Sequence, residues 1–167
     1  MAYNPRAKIS GRGIRSGGNM RIDFGYKRED FDRVMEISDA CYNGKYRPPQ
    51  QTMYDMITVS DVLVARLDPE DDSTRTILGF AIIQNIYQPY IWNIAVDPKW
   101  QRRGIAGNML WEIIKRYTLN KDKEISLHVD ATNPAQKLYF DYGFRVVSVE
   151  ENYFEPNDGL MMVRRLP

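Results

Sequence analysis

Residues 90–120 read YIWNIAVDPKWQRRGIAGNMLWEIIKRYTLN. The opening run, residues 90–96, is apolar and rich in β-branched and aromatic side chains, which suits a buried strand. Asp97 and Pro98 end it. After the basic glycine segment at residues 101–107, apolar residues fall at Ile105, Met109, Leu110, Ile113, Ile114 and Tyr117. That three-and-four spacing is the pattern of a helix with one buried face. The stretch therefore reads as strand, tight basic turn, helix.

Such a turn has a chemical use. The first turn of a helix carries backbone N–H groups without intrahelical partners and the positive end of the dipole, so it binds phosphate. Gly104 and Gly107 lack a β-carbon and would let a pyrophosphate approach the backbone, while Arg102 and Arg103 add charge. The competing reading is a surface turn with solvated arginines. No Lys-Ser or Lys-Thr follows the glycines, and no G-x-G-x-x-G is present, so neither a Walker loop nor a dinucleotide fingerprint is at hand.

Outward from this stretch, 167 residues suffice for one domain with a sizeable core. The formal net charge of +1 points neither to a nucleic-acid surface nor to an acidic solvating chain. Its distribution is uneven, because Arg6, Lys8, Arg12 and Arg15 lie in the first twenty residues with no acid among them. Residues 1–19 read as a flexible basic tail on a domain of residues 20–167; a basic arm touching RNA or another acidic partner is the alternative. The tail has no hydrophobic segment of the signal-peptide kind, and no run reaches the length of a membrane span. Cys41 is the only cysteine, which excludes an internal disulfide and fits a reducing cytoplasm. One Cys and one His give no metal cluster.

The remaining elements follow from pattern. A strand is expected over residues 20–26, a helix over 28–41, a short helix over 50–56, and strands over 61–67 and 76–85 joined by the acidic turn DPEDDS. Residues 124–130 alternate as a strand. Asn133 or Thr132 caps the next helix, with Pro134 first in it and Gly143 ending it. Strands over 144–153 and 160–165 close the sheet across a turn at 155–159.

Gln101-Arg102-Arg103-Gly104-Ile105-Ala106 resembles the coenzyme A signature Gln/Arg-x-x-Gly-x-Gly/Ala of the GNAT superfamily of N-acetyltransferases. NIAVDP before it and LHVDATNPAQKLYFDYGF after it resemble the rest of that family's acetyl-CoA core. The closing ENYFEPNDGLMMVRRL resembles the end of the protein N-terminal acetyltransferases. The resemblance implies an α/β (α+β) fold, with a mixed, mostly antiparallel sheet that splays between two parallel strands and helices on both faces. It implies acetyl-CoA as cosubstrate, its pyrophosphate on Arg102, Arg103, Gly104, Ile105, Ala106 and Gly107. Its pantetheine arm is expected against the backbone of Ile94, Ala95 and Val96, with Asn133 approaching from the next helix.

The resemblance also assigns the chemistry. Tyr139 matches the helix tyrosine that family members place near the thioester sulfur, a general acid. His128 stands in L-H-V where bacterial relatives carry glutamate. One eukaryotic Nα-acetyltransferase type has the same L-H-V and pairs its histidine with a tyrosine at the position of Tyr90. An imidazole titrates near neutrality and accepts a proton through an ordered water. Tyr42 and Tyr46 lie in the loop that lines the acceptor site, and Tyr153-Phe154 matches a Tyr-Tyr pair in the hairpin that crowds it. The implied acceptor is a peptide or protein N-terminus. A lysine or small-molecule amine, or a catalytically silent acyl-CoA-binding domain, are the alternatives.

Overall fold

The computed structural model describes residues 18–42, 46–69 and 76–167. Among them, seven strands form one sheet: β1 (Gly18–Asp23), β2 (Asp61–Pro69), β3 (Thr76–Asn85), β4 (Pro89–Val96), β5 (Glu124–Asp130), β6 (Arg145–Phe154) and β7 (Asn157–Arg165), in the order β1-β2-β3-β4-β5-β7-β6. The helices are α1 (Phe31–Cys41), α2 (Gln50–Thr58), α3 (Ile105–Leu119) and α4 (Gln136–Asp141). Neighbouring strands are antiparallel except β4 and β5, which run parallel and pair only at Tyr90↔Ser126 and Ile91↔Leu127. Beyond Ile91 the two strands part. This is the expected splayed, mostly antiparallel sheet.

Period-two alternation divides the interior into two cores. In β2, Leu63 and Ala65 join Met109, Leu110, Ile113 and Tyr117 of α3 on one face, while Val62 and Val64 meet Val34 and Ile37 of α1 and Met53 and Ile57 of α2 on the other. Each fully buried Leu, Ile, Val or Met among them contributes roughly 1.5–3 kcal/mol. The buried cation Arg66, 3% exposed, is neutralised by Asp30 at 2.8 Å, which makes its place in β2 tolerable.

Several boundaries differ from the pattern reading. β1 covers Gly18–Asp23 rather than residues 20–26. A 3-10 turn, Arg28–Asp30, precedes α1, because the Asp30 carboxylate accepts the Lys27 N–H at 2.7 Å and closes that turn. The Asn133 side chain accepts the Ala135 N–H at 2.9 Å, as a capping residue does, yet Pro134 sits in a turn and regular helix begins at Gln136. Gly143 has φ 85°, and the Phe144 N–H returns to the Tyr139 carbonyl at 3.0 Å, so the helix ends as expected. β7 starts at Asn157, which pairs with Phe154 and makes the last turn shorter than expected. The tail at residues 1–17 and most of the acidic turn lie outside the described residues.

Two irregularities shape the site. In β4, Asn93 faces Ile82 while Ile91 faces Ile83, so Trp92 is an extra residue and the alternation inverts after it. In β6, Glu150 faces Gly159 and Phe154 faces Asn157, so residues 151–153 occupy the span of Asp158 alone. Asn152, at φ 54°, takes up the bend.

Candidate active site

The parting of β4 from β5 opens a cleft of about 590 Å³. Its walls hold His128, Tyr90, Tyr139, Asn133 and Ile94, and Tyr42, Tyr46, Tyr153 and Phe154 lie around the same space. Nine of the seventeen residues singled out by resemblance, spread over more than a hundred positions of chain, meet here, and Val96 continues the same strand edge.

The open edge of β4 can be read from its hydrogen bonds. The Asp97 N–H bonds to the Leu78 carbonyl at 2.8 Å while Val96 stands opposite Gly79, so the N–H and C=O of Val96 point away from β3 and into the gap. Ile94, two residues earlier, points the same way. The carbonyl of Val96 accepts Gln101 Nε2 at 2.9 Å and Cys41 Sγ at 3.2 Å, and that of Ile94 accepts the Tyr42 hydroxyl at 3.1 Å. Ala95 between them is turned to Phe80 of β3. Its backbone is spent on the sheet, which removes it from the set expected to pair with pantetheine.

His128 projects from β5 and is bonded at both ring nitrogens. The Tyr90 hydroxyl lies 3.0 Å from Nδ1, and Glu150 Oε1 lies 2.9 Å from Nε2. An ionised carboxylate only accepts, so Nε2 carries hydrogen, and in the neutral ring Nδ1 accepts the Tyr90 O–H. Burial, together with the adjacent Tyr153 hydroxyl, pushes the Tyr90 phenol well above its ordinary value and keeps it a donor. The Tyr153 ring stacks on the imidazole, centroids 4.3 Å apart and planes within 9°. Glu150 was not singled out from the sequence. It lies one strand beyond β7, and a glutamate in an exposed strand carries no mark of a distant histidine.

Tyr139 lines the cleft from α4. Burial pushes its hydroxyl up to about 12, so it holds its proton throughout the neutral range. Tyr42 donates to Asn93 Oδ1 at 2.9 Å as well as to Ile94, and burial raises its hydroxyl too. Tyr46 bonds the Phe154 carbonyl and, at 2.8 Å, the Glu155 carbonyl, tying the segment before α2 to the β6–β7 hairpin across the mouth of the cleft.

The basic turn lies at the far end of β4. Arg102 and Gly104 both take positive φ, 63° and 82°. The first N–H of α3 with a partner in its own helix is that of Asn108, bonded to the Gly104 carbonyl at 3.0 Å, so the N–H groups of Ile105, Ala106 and Gly107 precede the ladder. Among the described residues no side chain caps them. A β-carbon built on Gly104 meets nothing within 4 Å, whereas one on Gly107 would stand 2.6 Å from the Tyr142 hydroxyl. Gly107 is thus small to fit Tyr142, not to admit a ligand, although its N–H remains in the uncapped group. The Arg103 guanidinium packs over Trp100 at 4.7 Å. A cradle of free N–H groups with open space before it fits a pyrophosphate.

Residues 31–144 match the family model described as Acetyltransferase (GNAT) family. The chain belongs to that family. Among its GNAT relatives, a [Ribosomal protein bS18]-alanine N-acetyltransferase of Haemophilus ducreyi is 29% identical over 138 residues, 78% of this chain and 87% of that protein. The protein of the same name from Escherichia coli is 34% identical over 83 residues, 48% of this chain and 56% of its own length. A crystal structure of the Escherichia coli ribosomal-protein-S18-alanine N-acetyltransferase superposes with a TM-score of 0.76 at 21% identity, covering 89% of this chain and 94% of that one. A GNAT family acetyltransferase from Elizabethkingia anophelis, solved with acetyl-CoA bound, gives 0.68 at 19% identity, covering 91% and 100%. The chain is an N-acetyltransferase of the GNAT type. No helix among the described residues is long and apolar enough to cross a membrane.

Proposed function

We propose that the acceptor is the α-amino group of a peptide or protein N-terminus. The observation that carries this is the roofed acceptor end of the cleft, where Tyr153 stacks on His128 and Tyr46 is bonded to the carbonyls of Phe154 and Glu155. A chain end threads under such a roof more readily than a lysine in mid-chain. The names of the Haemophilus ducreyi and Escherichia coli relatives, which specify an alanine of a ribosomal protein, support the same acceptor class.

Acetyl-CoA supplies the acetyl group as a thioester. Arg102, Arg103 and the free N–H groups of Ile105, Ala106 and Gly107 would hold its pyrophosphate, with Gly104 leaving the approach clear; Ile94 and Val96 would face its pantetheine arm and Asn133 would approach from the start of α4. Tyr139 holds the proton for the departing sulfur, and Tyr90 with His128 takes the proton of the attacking amine. An α-amino group has a pKa of about 7.7–8.0 and a lysine about 10.4, so a neutral lysine amine costs roughly 3.5 kcal/mol more to prepare at a given pH. The chain end therefore offers the easier proton.

The test uses a peptide with a free N-terminus and an internal lysine, and the same peptide with its N-terminus blocked, each with acetyl-CoA. Thiol release and mass spectrometry should show one acetyl on the free peptide and none on the blocked one. Comparable rates on both would overturn the Nα reading in favour of a lysine or small-amine acceptor. Absence of thiol release with any amine would mark a silent acyl-CoA-binding domain.

A further inference from the structure

Tyr90, His128 and Glu150 form a continuous hydrogen-bonded line, with 3.0 Å to Nδ1 and 2.9 Å from Nε2. The imidazole has no nitrogen left to face an acceptor. Its two faces are also confined, because Tyr153 stacks on it and its side chain is only 13% exposed. The hydroxyl of Tyr90 is therefore the polar atom of this line that meets the cleft and is still able to exchange a proton.

Resting on the acetyl-transfer reading of the same cleft, we propose that Glu150 is a positioning residue for proton removal. Its carboxylate fixes His128 as the Nε2–H tautomer and leaves Nδ1 to receive the proton of Tyr90. As the amine attacks, an amine N–H bond breaks and a new O–H bond forms at Tyr90, while the original phenolic proton passes to Nδ1. The resulting imidazolium faces the Glu150 carboxylate through Nε2–H. The proton returns to solvent once the product leaves.

The fold is bent to make this contact. In a regular strand Glu150 and Tyr153, an odd number of residues apart, would point to opposite faces. The bulge at residues 151–153, with Asn152 at φ 54°, brings both onto His128. An incidental surface ion pair would need no such irregularity. The other groups around the imidazole leave Glu150 as its charged partner. Met161 of β7 stands opposite His128 in the register and carries no charge. Asp130, two residues along β5, is occupied by Thr132 at 2.7 Å and Asn157 at 2.9 Å. Tyr90 and Tyr153 remain, and Tyr139 lines the same cleft from α4.

Because His128 is the only histidine, its imidazole ¹⁵N signals are unambiguous in the whole protein. The wild type should show the Nε2–H tautomer at neutral pH. Glu150→Gln removes the charge and Glu150→Ala removes the acceptor at Nε2 altogether, so the Nε2–H share of the ¹⁵N signals at neutral pH should fall in both and most in Glu150→Ala. kcat should drop by roughly threefold to tenfold with KM for acetyl-CoA unchanged. Glu150→Asp, which keeps the charge, should recover part of the tautomer preference and of kcat. An unchanged tautomer ratio and unchanged kcat in Glu150→Ala would overturn the proposal. Failure of the wild type to release thiol with any amine would overturn the acetyl-transfer reading and the proton path with it; the tautomer measurement, which needs no substrate, tells the two failures apart.

Discussion

A β-carbon added to Gly159 would stand 2.7 Å from Cβ and 2.9 Å from Cγ of Tyr153. The bare backbone of β7 at this point is what lets the Tyr153 ring lie across the hairpin and reach the imidazole of His128. Gly159→Ala should therefore move Tyr153 off His128 while costing about 1–3 kcal/mol of stability, the range for an overpacked site. Thermal melting should show a folded protein with a lowered midpoint, and peptide turnover should fall. Unchanged turnover in the folded variant would mean that the stack contributes nothing to the reaction.

At the basic turn, the left-handed φ of Gly104 makes any β-branched replacement strained, so a valine there would test backbone strain as much as ligand approach. Asparagine tolerates that conformation and carries an oxygen able to compete for the free N–H groups of α3. Gly104→Asn should leave the melting temperature close to the wild-type value and weaken acetyl-CoA binding by roughly tenfold or more, the loss of one or two charge-assisted hydrogen bonds. Calorimetry with coenzyme A measures it. Equal affinity would remove the turn from the binding site.

Tyr139→Phe removes the buried hydroxyl and keeps the ring that packs edge-on against Phe144 at 6.0 Å. If the hydroxyl protonates the departing sulfur, kcat should fall by about a hundredfold or more while coenzyme affinity holds, the signature of an interaction confined to the transition state. Equal losses in binding and turnover would instead assign Tyr139 to packing.

Asp97, which ends β4, accepts the Lys99 N–H at 2.8 Å and pairs with Arg33 of α1. Burial acts to raise its carboxyl, but the Lys99 N–H and the Arg33 guanidinium outweigh it and hold the group below its ordinary 3.8. A lowered folded-state value means that the ionised form stabilises the fold above about pH 3.8 and that this contribution is lost as pH falls through the folded value. Asp97→Asn should cost on the order of 2 kcal/mol at pH 7. That deficit should shrink at a second, acid pH below the lowered folded value, where the wild-type carboxyl is itself protonated. Urea unfolding at the two pH values gives the comparison, and a deficit independent of pH would discount the charge.

The stretch at residues 90–120 made strand, turn and helix legible because each signal in it is local. The apolar run, the Asp-Pro break and the three-and-four spacing all act within a few residues, and β4 and α3 fall where they indicate. The boundaries that drifted are those set by single side chains. Asp30 closing a turn before α1 and Asn133 holding the turn before α4 are local contacts that periodicity does not register.

In the sequence by itself, the resemblance to the GNAT superfamily already implied the family, the acyl donor and the pairing of Tyr90 with His128, because the motifs that carry it stand in order along the chain. Only the tertiary structure decided which backbone groups of β4 remain open, since that depends on the register with β3, where Ala95 faces Phe80 and Ile94 and Val96 face the gap. It alone placed Gly107 against Tyr142 and brought Glu150 to His128. Those contacts join residues on different elements, and the last depends on a bulge that overrides the alternation of β6. A period of two read along the chain puts Glu150 and Tyr153 on opposite faces; the unequal count of residues opposite β7 puts them on the same imidazole.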